Sequence, residues 1–354
     1  MNIRKRVFNF SDKIRGNIIL NHLQQIKKIN DSENIDLIKS YQDNQLQSLL
    51  KYAVKHVPFY KKYTSEIISD FPVINKTIIK DNEDKFIATS YSKKDLIKNV
   101  TSGSTGTPFP SYRDINKKNR NTADVIYFGN LAGFEIGEPL FYLKIWSSAN
   151  RKSLLTRIAE NIYPIDVINL SGENVKTFID KLYKVGANIH MNGYSSALEE
   201  VCKYLDYNAS EKLKEIKVKS IITQSEALSH ETKKRLKKYF DCEVCSRYSN
   251  LENGIIAQQT IDKNDSFKIN HASYYVEILK INSDKPANPN ELGRIIITDL
   301  YNFAMPFIRY DTGDIGKYEI NKNNSVNELY FSEIQGRKLD LLLDTKGNVL
   351  SSYI

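Results

Sequence analysis

The segment Thr101-Ser102-Gly103-Ser104-Thr105-Gly106-Thr107-Pro108 follows a short β-type run and precedes a stretch with helical periodicity. Glycines let a backbone fold closely around a phosphate, and serine and threonine hydroxyls add hydrogen bonds to its oxygens. It is not a Walker loop, because neither Lys-Ser nor Lys-Thr follows Gly106. A Ser/Thr/Gly loop also occurs as a plain connection, so its meaning depends on what surrounds it.

Downstream, Asp114 is placed to cap a helix carrying Ile115, Asn119, Thr122, Ala123, Ile126 and Leu131, with Gly133 ending it. Leu140–Trp146 reads as a strand. Asn174 then caps a helix with Val175, Phe178, Ile179 and Leu182 inward, ended by Gly186. Ile189–Met191 is a strand, Ser196–Leu205 a helix, Val218–Thr223 a strand, Ser229–Tyr239 a helix and Glu243–Tyr248 a strand. Such alternation implies an α/β layer with a mainly parallel sheet. After residue 265 strands and turns take over: Tyr274–Lys280, Arg294–Asp299, Phe307–Tyr310, Gly316–Ile320, Glu328–Ile334 and Leu339–Asp344, a smaller β-rich subdomain. Upstream, residues 35–63 read as helical, and Pro58 and Pro72 punctuate a loop-rich stretch up to Ser92.

Four further segments add chemistry. Tyr248-Ser249-Asn250-Leu251-Glu252 puts an aromatic ring and a carboxylate after a strand, where open α/β sheets bind ligands. Phe307-Ile308-Arg309-Tyr310-Asp311-Thr312-Gly313-Asp314 gathers an arginine, acids and a glycine. Gly336-Arg337-Lys338-Leu339-Asp340 supplies another arginine. Leu49-Leu50-Lys51-Tyr52-Ala53, Val57-Pro58-Phe59-Tyr60 and Pro72…Lys76 form an N-terminal pattern.

In this order and spacing the segments resemble the adenylate-forming superfamily of acyl-CoA synthetases. Within it they look like the phenylacetate–CoA ligase family, including CapK-like proteins linked to capsular polysaccharide synthesis. The resemblance runs from about residue 45 to the end. It implies the large N-terminal domain of an adenylate-forming enzyme, with parallel α/β layers and a small β-rich subdomain. The implied boundaries are 1–94 for a helical and loop region, 95–264 for the nucleotide- and acyl-binding region, 265–335 for the β-rich subdomain, and 336–354 for the hinge and truncated start of a C-terminal domain. The family's mobile lid, which carries a catalytic lysine, is not matched within these residues, so the chain is expected to be either a fragment of a longer protein or a protein that does without the lid.

Carried over at matching positions, Ser102, Gly103, Ser104, Thr105 and Gly106 would grip the β- and γ-phosphates of ATP. Tyr248 would line the adenine pocket, Glu252 would ligate Mg²⁺, Asp314 would accept from the ribose hydroxyls, and Arg337 would approach ribose or phosphate. Thr105, Glu252 and Arg337 are the implied catalytic set. The implied reaction activates a small carboxylic acid in the cytoplasm as acyl-AMP, for CoA or an amino-sugar acceptor; the alternative is a lid-less relative that binds nucleotide or acyl groups without turning them over. Ser249 and Leu251 replace a glycine and a serine or threonine of the family pattern, and Leu339 replaces an aspartate, although Asp340 adjoins it.

The chain has 354 residues with 51 Lys plus Arg against 42 Asp plus Glu, a formal charge of +9. With 41% hydrophobic and 26% charged residues it is neither disordered nor fibrous, and no apolar run spans a membrane. Basic residues come as dispersed pairs and triplets, such as Lys117–Lys118 and Lys233–Lys234–Arg235. These read as solvated helix faces rather than a nucleic-acid surface, with Arg309 and Arg337 assigned near a nucleotide. Residues 3–29 place Val7, Phe10, Ile14, Ile18, Leu23 and Ile26 near helical spacing among basic residues; such a helix packs on the protein or lies on an anionic membrane surface. Cys242 and Cys245 have CxxC spacing, but positions three apart in a strand face opposite ways, and Cys202 is remote in sequence. Gln258 and Lys268 stand where some relatives carry zinc ligands. The histidines (His22, His56, His190, His230, His271) show no partner spacing, so no Ser–His–acid triad is assembled from sequence. Trp146 and Tyr194 are read either as walls of an acyl pocket or as core aromatics.

Overall fold

The computed structural model describes residues 2–101, 109–147, 150–208, 211–263, 265–321, 328–337, 342–343 and 349–350. The chain divides into two compact units. The first comprises Met1–Leu20, Val125–Tyr248 and Gln258–Phe267, the second Asn21–Asp124, Ser249–Ala257 and Lys268–Ile354.

In the first unit the strands are parallel, in the spatial order Val244–Asn250, Val218–Gln224, Ile189–Tyr194, Leu140–Lys144 and Ile162–Asp166. Helices Glu173–Val185, Ser195–Tyr207 and His230–Phe240 connect them. Each helix turns an apolar stripe inward: Val175, Phe178, Ile179 and Leu182 are buried, as are Leu198, Val201 and Leu205, and Leu236 and Phe240. They meet Phe141, Leu143, Met191 and Ile221 from the sheet in one core. Burying each such side chain stabilises by about 1.5–3 kcal/mol.

Local signals hold at several helix ends. Ser229 Oγ accepts from the Thr232 amide at 3.1 Å, and Gly186 closes its helix at φ 78°. At Glu173–Val185 the cap expected from Asn174 is instead Gly172, at φ 51°; Asn174 lies inside the helix and its Nδ2 donates to the Asn169 carbonyl at 2.7 Å. The strand Ile162–Asp166 and the helix Leu154–Glu160 carry too short a periodicity to be expected from sequence. The N-terminal periodicity is split into Ile3–Ile14 and Ile18–Asn30 by Gly16 and Asn17, both at positive φ.

The second unit contains an antiparallel meander of Tyr274–Lys280, Gly293–Asp299, Tyr310–Asn321 and Glu328–Arg337. The two strands expected at Phe307–Tyr310 and Gly316–Ile320 are one strand from Tyr310 onward, because Tyr310 and Asp311 pair with Ile297 and Ile296 and, across a bulge, Ile315 and Gly316 pair with Arg294 and Gly293. The helix Ile35–His56 buries Ile38, Leu46, Leu49, Leu50 and Ala53. The stretch before Ser92 contains the short helices Lys76–Asp81 and Glu83–Phe86. Strands Ile97–Thr101 and Phe109–Arg113 pair antiparallel, with Thr101 opposite Phe109.

Candidate active site

In the second unit Glu252 is a buried carboxylate, only 3% exposed. The Tyr310 hydroxyl donates to its Oε1 at 2.7 Å, and Lys76 Nζ lies 3.3 Å from the same oxygen. Neither contact engages Oε2.

A chain of buried polar groups fixes the backbone just after Glu252. The Asn253 amide donates to Asn250 Oδ1 at 2.8 Å, and the Asn253 carbonyl accepts from the Tyr274 hydroxyl at 2.6 Å. Lys117 Nζ donates to that hydroxyl at 3.2 Å and pairs with Asp299 at 2.7 Å; Lys117 and Asp299 are both fully buried. Asp114 Oδ1 caps the helix Ile115–Leu131, which carries Lys117, on the Lys117 amide at 2.7 Å, as its sequence position predicts. Gly254 sits at φ +117°, where a Cβ would come within 3.1 Å of Asn121 and of the Tyr274 hydroxyl, so the close approach requires glycine. The Asn253 side chain is fully buried, and neither its Oδ1 nor its Nδ2 has a partner among the described residues.

Lys117 is therefore no part of a solvated face. Lys117, Arg120 and Asp124 fall at the three- and four-residue spacing of one helix face. Arg120 donates to Ser273 Oγ at 2.8 Å and to the Ala272 carbonyl at 2.6 Å, while Asp124 accepts from Asn270 and Ser273. Burial pushes the Asp124 carboxyl above its ordinary range, against the pull of Arg120 and Lys117. The signal available in sequence was this spacing of charges where a core-facing stripe belongs.

The Arg309 segment diverges rather than gathering. Arg309 sits at φ 52° and its guanidinium pairs with Glu277 at 3.0 Å and bonds the Phe71 carbonyl at 3.1 Å. It clasps the fold, and its assignment near a nucleotide is corrected. Asp311 pairs with Arg294 at 2.8 Å, and Tyr310 turns to Glu252. Asp314 and Arg337 are direct partners in the antiparallel register of their strands, so these two candidates are brought together. Ser102, Gly103, Ser104, Thr105 and Gly106 lie outside the described residues, as does Asp340.

Tyr248 lies in the first unit, half-buried near the end of the Val244–Asn250 strand. Elsewhere in that unit, away from the Tyr248 strand, the strand order reverses between Leu140–Lys144 and Ile189–Tyr194, a switch point at whose carboxyl end open parallel sheets bind ligands. Lys144 Nζ lies 4.3 Å from the Trp146 ring centroid and 4.9 Å from that of Tyr142. Burial, with Lys152 adding to it, lowers the Lys144 ammonium below its ordinary range. The buried Asn192 Oδ1 and Thr223 Oγ1, on the adjoining strands, have no partners among the described residues. On the Leu143 side Gly193 is obligatory, since a Cβ would stand 2.7 Å from Leu143 Cβ.

Other sequence features find structural roles. His190 does acquire a serine and an acid: its Nδ1 lies 2.7 Å from Ser220 Oγ and its Nε2 2.8 Å from Glu138. Both His190 and Ser220 are 1% exposed and lie near the amino ends of their strands, so an incoming ester has no path to the hydroxyl. Burial lowers the imidazole below 6.5 despite the facing Glu138. Gln258 is a core residue bridging Arg247 and the Phe128 carbonyl at 2.7 Å each. Burial pushes the Cys202 and Cys242 thiols up to about 12 and Cys245 to about 11, which keeps them from acting as thiolates near neutral pH. Among the described residues no group of three or more His, Cys, Asp or Glu side chains is arranged to hold a metal.

No protein-family model matches this sequence, and no curated protein matches it. Solved structures do. An open conformation of 2-hydroxyisobutyryl-CoA ligase in complex with 2-HIB-AMP and CoA aligns with a TM-score of 0.71 at 15% identity, over 87% of this chain and 76% of that one. The same ligase in the postadenylation state with 2-HIB-AMP gives 0.72 at 15%, over 88% and 70%. The fold is that of these CoA ligases. Anthranilate CoA ligase AuaEII in complex with anthranoyl-AMP aligns at 0.53 and 13% identity, over 75% of this chain and 51% of that chain. The α/β class with a large parallel-rich sheet, expected from the alternation of strands and helices, is thus the fold observed.

Proposed function

We propose that this protein is an ATP-dependent adenylate-forming ligase of the phenylacetate–CoA ligase and CapK type, working in the cytoplasm. It activates a carboxylic acid as acyl-AMP and passes the acyl group to CoA or to an amine, an amino sugar of surface-polysaccharide synthesis being one such acceptor. The observation that carries the reading is Glu252, a buried carboxylate oriented by Tyr310 with Lys76 beside it. Burying such a group costs free energy, and its position directly after a strand end is where a nucleotide's metal belongs.

Mg²⁺ takes one or two protein carboxylates and leaves its other positions to phosphate oxygens and water. Glu252, with the side-chain amide of Asn253, which has no partner among the described residues, next in the chain, suits that mode without a multi-residue cage. When bound, the ion would neutralise charge developing on the phosphates. Ser102, Gly103, Ser104, Thr105 and Gly106 would hold the β- and γ-phosphates, Tyr248 the adenine, Asp314 the ribose hydroxyls, and Arg337 the ribose or α-phosphate. A carboxylate oxygen attacks the α-phosphorus, the bond to the β-phosphate bridging oxygen breaks, and pyrophosphate leaves. A thiol or amine then displaces AMP from the acyl carbon. Positioning and charge neutralisation carry such a reaction. In the first unit, the Asn192 and Thr223 oxygens, buried and without partners among the described residues, would favour a small acid bearing a polar substituent.

ATP–pyrophosphate exchange over a panel of small acids tests this. Exchange above background is expected for hydroxylated or amidated acids before purely apolar ones. Glu252→Gln is expected to lower it by about 100-fold or more, with little change in thermal midpoint. Background exchange across the whole panel would sink the proposal. Tight ATP binding in that case would identify a nucleotide-binding relative without chemistry, in which the Lys76 ion pair keeps Glu252 for itself.

A further inference from the structure

The helix Ile3–Ile14, in the first unit, presents its apolar residues outward. Ile3, Val7, Phe10 and Ile14 are 74%, 62%, 67% and 71% exposed. At about 100° per residue these side chains fall within a stripe roughly 60° wide. The opposite face is anchored. Asn2 Nδ2 donates to the Ile136 carbonyl at 2.6 Å, Lys5 pairs with Glu135 at 3.0 Å, and the buried Asp12 caps the Ile19 and Leu20 amides at 3.1 and 2.9 Å. The orientation is therefore built in, since these contacts hold the polar face against the unit.

Basic residues flank the stripe on both sides: Arg6 and Lys13 on one, Arg4 and Arg15 on the other, all exposed. The helix's acid, Asp12, is on the anchored face and 3% exposed. A second apolar group adjoins the first. Arg4 Nε donates to the Ile158 carbonyl at 3.1 Å, and Leu154, Leu155 and Ile158 are themselves 62%, 80% and 57% exposed.

We infer that this helix seats the protein on an anionic lipid surface, its apolar stripe entering the headgroup boundary and its flanking cations meeting lipid phosphates. An outward apolar stripe edged by arginine and lysine is the pattern of an interfacial helix. A second copy of the chain is the poorer occupant, because a symmetric contact sets the same cations against one another. Each basic residue near an anionic bilayer favours binding by about fivefold. The inference is independent of the adenylation chemistry and stands or falls without it.

Vesicle flotation with the full chain tests it, using phosphatidylcholine alone and phosphatidylcholine containing about one-third phosphatidylglycerol. The protein is expected to float with the anionic vesicles at low salt, about tenfold less with the neutral ones, and progressively less as salt rises. Val7→Asp with Phe10→Asp is expected to reduce partition by at least about tenfold, and Arg6→Glu with Lys13→Glu by a similar factor. Both pairs are exposed, so the thermal midpoint should hold. No flotation of the unaltered chain with anionic vesicles would overturn the inference, as would equal flotation of the Val7/Phe10 variant. Light scattering that shows a dimer lost in that variant, without lipid binding, would make the stripe a protein interface and likewise overturn it.

Discussion

The first unit closes on Phe141, Leu143, Phe178, Leu182, Met191 and Val201, whereas the second carries Lys117, Arg120, Asp124 and Asp299 in its interior. An apolar interior gains stability in proportion to the area it hides and tolerates small rearrangements. Buried ion pairs gain little net stability, because desolvation offsets the attraction, but they punish any change of geometry. In the second unit that intolerance runs from Asp299 through Lys117 and Tyr274 to the carbonyl of Asn253, and so to the backbone beside Glu252. Both units bury apolar area; the second adds buried charge that holds one segment still.

Lys117→Met breaks the contrast most sharply. Removing one partner of a buried pair should cost about 3–5 kcal/mol in denaturant unfolding, since Asp299 is left uncompensated. Joining it to Asp299→Leu should restore a large part, giving a coupling of about 0.5–3 kcal/mol. Additive losses would show that the pair does not act as a unit. In the first unit Leu182→Ala should cost about 2–5 kcal/mol through cavity formation, yet leave exchange at saturating substrate near its original rate. Loss of exchange in Leu182→Ala as complete as in Lys117→Met would erase the distinction.

A pH series sharpens it further. His190 is held neutral, below its ordinary 6.5, so its contribution is present above that value and is lost as pH falls through the lowered folded value. Glu138 behaves in the same direction at lower pH: partial burial raises its carboxyl, but Lys219 and His190 pull it below 4.5 overall. Stability should therefore fall on acidification from 6.5 downward, and His190→Gln should flatten the upper part of that fall in a thermal-midpoint titration. An unchanged profile would remove His190 as the cause. The smallest expected effect is Ser229→Ala, about 1 kcal/mol from a lost helix cap.

Much of the first unit was legible because its signals are local. The Gly186 stop and the inward residues of Glu173–Val185 follow from neighbours within a turn or two, as does the Asp114 cap in the second unit. One failure was local: Asn174 yielded its capping place to Gly172, two positions away. Elsewhere distant residues decided: Lys117 looked like half of a solvated pair until Asp299 closed on it from 182 positions away along the chain. Arg309 likewise turned to Glu277 instead of toward a ligand.

By itself the sequence determined the alternation of strands and helices, and with it a parallel α/β layer followed by an antiparallel one, because periodicity and caps act over a few residues. It also placed Glu252 after a strand and the basic, apolar pattern at the N-terminus. Only the tertiary structure decided that Tyr310 orients Glu252, that His190 and Ser220 are core partners, and that the stripe Ile3, Val7, Phe10 and Ile14 faces outward. The physical reason is range: a side chain's period says that it has a face, and packing against residues remote in sequence says which way that face points.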